Sequence, residues 1–184
     1  MKKVSSINYL LVTAIITVIS VIIYAAVQQV YRSGANDPQI QIARDINSNL
    51  RQGKPVENFF TDTIDISQSL SVFNVLCNDA GKPIRSSGLL QNKMPVIPVG
   101  VFEFAKKNGE HEVTWQPQPG VRMAMVIVAS SSSPVGFVAS GRSIQEIEIR
   151  VHNLITIIFF GWMVCIALTL LHAVFHFYNS RKTF

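Results

Sequence analysis

The chain has 184 residues, 48% of them hydrophobic, and its 16 Lys and Arg against 11 Asp and Glu give a formal net charge of +5 at pH 7. Four of the basic residues (Lys2, Lys3, Arg181 and Lys182) lie at the two ends, which leaves 12 against 11 between them. A central part so close to neutral has no nucleic-acid-binding footprint, and its length suits one domain with one core rather than two.

No Asp, Glu, Lys or Arg occurs between Lys3 and Arg32, or between Arg150 and Arg181. Each gap exceeds the ~20 apolar residues that cross a hydrocarbon layer of ~30 Å. The chain therefore reads as a tail over residues 1–8, a first transmembrane helix over 9–30, a domain over 31–152, a second transmembrane helix over 153–177 and a tail over 178–184. The first apolar stretch, YLLVTAIITVISVIIYAAV, competes with a cleaved signal peptide. Lys2, Lys3, Ala25 and Ala26 fit that alternative, but the stretch outruns the roughly 7–15 residues of a signal core. The second, LITIIFFGWMVCIALTLLHAVF, has no such rival. Basic residues in both short tails place both termini in the cytoplasm and the domain on the periplasmic or extracellular side of the cytoplasmic (inner) membrane. Thr13, Thr17 and Ser20 share one side of the first helix, where small polar residues favour packing against the second helix or a second copy. Cys77 and Cys165 fall in different layers, so an intrachain disulfide is not expected.

Within the domain, residues 34–38 (GANDP) predict a break and a fresh helix start, with Asp37 capping and Pro38 in the first turn. A helix over 38–52 puts Ile40, Ala43, Ile46 and Leu50 on one face, leaves Arg44 and Arg51 to solvent, and ends at Gly53 and Pro55. Strands follow at 72–77 and 83–87 around the turn residues 78–82. A short helix over 99–107, with Phe102 and Ala105 inward, stops at Asn108 and Gly109. Three more strands, at 111–116, 121–129 and 135–140, are joined by short connections that favour antiparallel neighbours. Ser143 and Glu146 have capping-box spacing, and from there no proline or glycine interrupts the chain before Gly161, so one helix is expected to run from Ile144 into the second membrane segment. The fold class is α+β: five antiparallel strands with a leading helix, flanked by two transmembrane helices.

The helix over 38–52, the hairpin FNVLCNDAGKPIRSS, the strand pair VRMAMVIVA and PVGFVASGRS, and the exit GRSIQEIEIRV together resemble the extracytoplasmic PAS-like (single Cache) sensor domains of bacterial two-pass membrane receptors. The likeness covers residues 38–151 and is one of pattern and order. It implies a PAS-like sheet, a homodimer and a small organic ligand. Domains of that kind hold small carboxylates with basic and aromatic groups facing the sheet, which points to Arg85, Lys93, Trp115 and Arg122 as ligand-binding candidates; a guanidinium fork suits a carboxylate. The exit into a signalling helix assigns signal transmission to the segment of Ser143 and Glu146. Receptors of this plan carry a long cytoplasmic output module, and only a few residues follow the second membrane segment here. The expectation is therefore a sensor that signals through a separate membrane subunit. The competing expectation is a structural accessory subunit of an envelope membrane complex that binds protein rather than a small molecule.

Neither a phosphate-binding glycine loop nor HExxH, CxxC or G-x-S-x-G is present, so no enzyme, cofactor or metal is expected. His172 and His176 have the i, i+4 spacing of a metal or haem ligand pair. The first apolar stretch offers no His, Asp, Glu or Cys as a partner, and the pair reads as part of an interfacial aromatic belt with Phe175, Phe177 and Tyr178.

Overall fold

The computed structural model describes residues 2–182. Met1, Thr183 and Phe184, at the ends of the tails assigned to the cytoplasm, lie outside the described residues, as do the side chains of Lys2, Lys3, Arg181 and Lys182 that carry the orientation argument. The chain forms two compact units, Met1–Tyr31 with Ile149–Phe184, and Arg32–Glu148.

The first unit is built from the ends of two long helices, α1 (Lys2–Arg51) and α3 (Gln145–Lys182). Within them, Asn8–Tyr31 and Gln145–Ser180 are long and apolar enough to cross a membrane, and neither apolar window is buried by protein. Leu10, Ile22, Phe160 and Leu171 are among the large side chains left at least half exposed. Apolar surface of that extent is costly in water and neutral in hydrocarbon. The small polar residues of α1 are satisfied at close range. Thr17 Oγ1 donates to the Thr13 carbonyl (2.9 Å) and accepts from Trp162 Nε1 (3.0 Å), while Ser20 Oγ donates to the Ile16 carbonyl (2.9 Å).

The second unit is an α+β domain around a five-stranded antiparallel sheet. Its strands are β2 (Phe73–Cys77), β3 (Pro83–Ser86), β5 (Glu110–Gln118), β6 (Val121–Ser132) and β7 (Val135–Ser143), in the spatial order β3-β2-β7-β6-β5. The strands read from the sequence are all present. Two further strands of two residues each, β1 (Ile64–Asp65) and β4 (Gly88–Leu89), pair in parallel beside it.

Both faces of the sheet are covered. On one, Phe73, Val75 and Cys77 of β2, Met123, Met125 and Ile127 of β6, and Phe137 and Ala139 of β7 pack under Phe102 and Ala105 of α2 (Val99–Asn108). On the other, Leu76, Val126, Val128 and Val138 pack under Ala43 and Ile46 of α1, with Val56 and Phe60 beside them. Two-sided cover is why all five residues of β2 are buried rather than alternate ones.

The expected break at residues 34–38 is absent, since Pro38 lies inside α1. A proline within a helix removes one donor and crowds the carbonyl four residues back. Here that carbonyl belongs to Gly34, an exposed residue, so solvent can take the bond that Pro38 cannot make. The helix ends where expected. Gly53, at φ +65°, donates to the Leu50 carbonyl (3.1 Å) and Lys54 to that of Asn49 (2.9 Å), a Schellman cap.

Two glycines in β7 hold the sheet close to its neighbours. Gly141 sits opposite Phe73, whose ring occupies the space a side chain would take, and a Cβ on Gly136 would run into the backbone of Asp79. Gly136→Ala should therefore destabilise the domain by about 1–3 kcal/mol, because backbone cannot step aside. Gly100→Ala, with nothing near it in α2, should be neutral or stabilising by about 0.5–1 kcal/mol. Chemical unfolding of the two variants, followed by Trp115 emission in a Trp162→Phe background, checks the pair.

Candidate functional site

The sheet delivers its central strand to α3 without an intervening loop. β7 lies between β2 and β6, and its last paired residue, Ser143, faces Met123 of β6. The ladder then continues one step, Ile144 N–H donating to the Arg122 carbonyl (3.1 Å). The first helical bond of the exit follows at once, from Glu148 N–H to the Ile144 carbonyl (2.9 Å). Ser143 Oγ accepts from Gln145 N–H (3.3 Å), one residue short of the expected Glu146 amide, and α3 begins at Gln145.

Two arginines from adjacent strands hold the first turn of α3. Arg122 of β6 is ion-paired and hydrogen-bonded to Glu148. Arg142 of β7 lies 3.9 Å from the Glu146 carboxylate and donates through Nε to the Leu70 carbonyl (2.9 Å). With both partners of the first pair nearly half exposed, such contacts contribute ~0–1 kcal/mol each. Their effect is to hold the first turn of α3 beside β6 and β7 with little gain in stability.

Beneath this joint lies a buried polar cluster. Asn74 of β2 and Ser140 of β7 face each other across the ladder. Ser140 Oγ donates to Asn74 Oδ1 (2.7 Å), Asn74 Nδ2 donates to the Phe59 carbonyl (3.0 Å), and Asn74 N–H donates to Ser87 Oγ (2.8 Å). Buried polar groups are costly unless paired, and here they tie β7, β2 and the short 3₁₀ turn Glu57–Phe60 into one arrangement.

The four side chains put forward for a ligand pocket are not brought together. Arg85 is on the edge strand β3, its guanidinium 4.8 Å above the Phe60 ring and 3.9 Å from Glu57. Lys93 is exposed in the tight turn it forms with Leu90. Trp115 is buried in the core on the α2 face. Arg122 lies between Val121 and Met123, which point into that same core, so strand alternation turns it to the opposite face. Strands β2 and β7 separate β3 from β6, three spacings or about 14 Å. Arg85, Lys93, Trp115 and Arg122 thus lie on different strands, turns and faces. Arg122 instead belongs with Glu148 at the joint, beside Ser143 and Glu146.

Other contacts were invisible in the sequence. Arg44, expected to be merely solvated, makes a two-pronged bond to Glu110 at the start of β5 (2.9 and 2.7 Å). That pairing holds the Glu110 carboxyl below its ordinary range, against a smaller upward push from burial, and holds the Arg44 guanidinium above its own. The Ser67 hydroxyl and amide likewise lower Asp65. Burial pushes the Cys77 thiol up to about 12. In the first unit, α1 and α3 border a groove of about 350 Å³ lined by Val21, Tyr24, Ile155 and Phe159, with the engaged hydroxyls of Thr17 and Ser20 at its wall.

The chain matches no protein-family model, and no curated protein is detectably similar to it.

A depressed carboxyl contributes stability that is present above its unfolded value of ~4.3 and is lost as pH falls through its folded value. The stability difference between wild type and Glu110→Gln should accordingly be constant near neutrality, shrink in acid, and be reduced by salt because Arg44 is exposed. Denaturation curves at several pH values read this directly. Asn74→Ala should cost about 1–3 kcal/mol by orphaning Ser140 and the Phe59 carbonyl. Cys77, in a Cys165→Ser background, should resist maleimide at pH 7–8 until the domain is unfolded.

Proposed function

We propose that this is a membrane-anchored extracytoplasmic sensory protein whose α+β domain passes its state to a partner subunit through α3. On this reading both apolar helices cross the cytoplasmic membrane, both termini are cytoplasmic, and the domain faces the periplasm or exterior as a PAS-like sensor and homodimer. The observation that carries it is the direct passage of the central strand into a helix apolar enough to span a bilayer, with Arg122 and Arg142 gripping the first turn. A change in sheet geometry at β7 has no loop in which to dissipate before it reaches α3. A small organic ligand would act by binding two arrangements of the joint unequally, since equal affinity shifts nothing.

A second reading has an observation of its own. Both sheet faces are filled by apolar side chains, and the basic and aromatic candidates diverge. This favours an accessory subunit of a membrane complex whose domain binds protein through its surface.

Native mass spectrometry of the full chain, released from its own membrane in mild detergent, separates the two. A small-molecule adduct that is lost on denaturation is the sensory outcome. A bare mass accompanied only by a co-purifying polypeptide is the accessory outcome and sinks the ligand proposal. Orientation is checked with Gln91→Cys, an exposed position, in a background lacking Cys77 and Cys165. An impermeant maleimide should label it in intact spheroplasts, and labelling only after lysis would reverse the topology.

A further inference from the structure

At the end of the first unit away from the domain in sequence, three donor side chains from two helices meet. Tyr9 of α1 lies against α3 with its hydroxyl oxygen 3.1 Å from His172 Nδ1. Its ring centroid is 5.8 Å from that of His172 and 6.3 Å from that of His176. The Phe177 ring, 6.5 Å away, packs on the same tyrosine. His172 and His176 are one helical turn apart and exposed, and Tyr9 is half-buried, so protein does not close the cluster off.

We propose that Tyr9, His172 and His176 form a binding site for a divalent transition-metal cation of the imidazole-preferring kind, with copper(II) held most tightly and zinc(II) less so. Two imidazoles at i, i+4 on one helix face are a ready-made chelate for such ions. The first apolar stretch has no His, Asp, Glu or Cys, and Tyr9 provides the donor that a two-helix site requires. Two ligand atoms bound about 2.0–2.2 Å from one ion stand about 3 Å apart, which is the separation already held between the Tyr9 oxygen and His172 Nδ1. The hydrogen bond between them is the apo form of the site. On binding, the neutral imidazoles donate lone pairs and the phenol ligates as phenolate, releasing one proton, with no change in the metal's oxidation state. The order of affinity follows from a nitrogen-rich, oxygen-completed donor set with open positions. Occupancy would fasten α1 to α3 at this end, so the bound form should resist thermal separation of the two helices.

The test is copper(II) titration of the full chain in detergent, carrying no histidine tag, with absorbance and electron paramagnetic resonance read together. Wild type should bind one ion with nitrogen hyperfine structure and a visible phenolate-to-copper charge-transfer band. His172→Ala and His176→Ala, with His172→Gln and His176→Gln as milder variants, should each weaken binding by at least about tenfold. Tyr9→Phe should abolish the band while the nitrogen signal persists. Copper affinity indistinguishable between wild type and the double histidine variant, with both retaining their helical circular dichroism, overturns the site. A band that survives in Tyr9→Phe overturns the assignment of the third ligand.

Discussion

The constraint on which the domain depends is that its sheet must be covered on both faces by a short stretch of chain. Only Arg32–Glu148 makes up this unit, and five of its seven strands form the main sheet. One face is closed by α2 and the segments beside it, and the other has to be closed by the last turns of α1, where Ala43 and Ile46 are wholly buried. The same helix that starts as an apolar membrane candidate is therefore also a core element of the domain. Large-to-small changes at such positions typically cost ~2–5 kcal/mol, so the C-terminal end of α1 belongs to the domain's stability as fully as any strand.

Close cover explains the unusual composition of β7. A central strand between two neighbours, packed from above and below, has little room, and its glycines fall where the room is least. Gly141 admits the Phe73 ring and Gly136 admits the Asp79 backbone. The same crowding makes the polar cluster of Asn74 and Ser140 tolerable, because the partners are held at bonding distance by strands that cannot shift register without moving whole side-chain sets to the wrong face. A half-satisfied cluster at this depth would be worse than an apolar one, whereas a satisfied one favours a single register.

Much of this was legible from local pattern. Charge gaps located both apolar helices, the spacing of Ile40, Ala43, Ile46 and Leu50 gave the buried face of α1, and turn residues placed the strands. What the sequence concealed was of two kinds. Pairings between distant positions, such as Arg44 with Glu110 or Tyr9 with His172, leave no trace in local periodicity. Facing is equally hidden. Trp115 and Arg122 lie in adjacent strands, but which of them shares a face with the other depends on register, and the register here places Trp115 opposite Met123 and leaves Arg122 on the other side. The two-residue strands β1 and β4 are too short to show any period. Pro38 misled as well, because the bond it cannot make falls on the carbonyl of exposed Gly34, where solvent can replace it.

The strength of the individual contacts at the β7–α3 joint bears on how it could work. Strong ion pairs would lock α3 to the sheet in one pose and make the joint insensitive to anything the domain experiences. Half-exposed pairs worth ~0–1 kcal/mol each do not. Within a few residues of them, Ser140 makes its buried hydrogen bond to Asn74. The grip of either arginine is weaker than the ~1–3 kcal/mol expected for unpairing Asn74, so the first turn of α3 is the more easily released of the two. On the proposed sensory reading, a change at β7 would release the first turn of α3 before it unpaired the strands of the sheet.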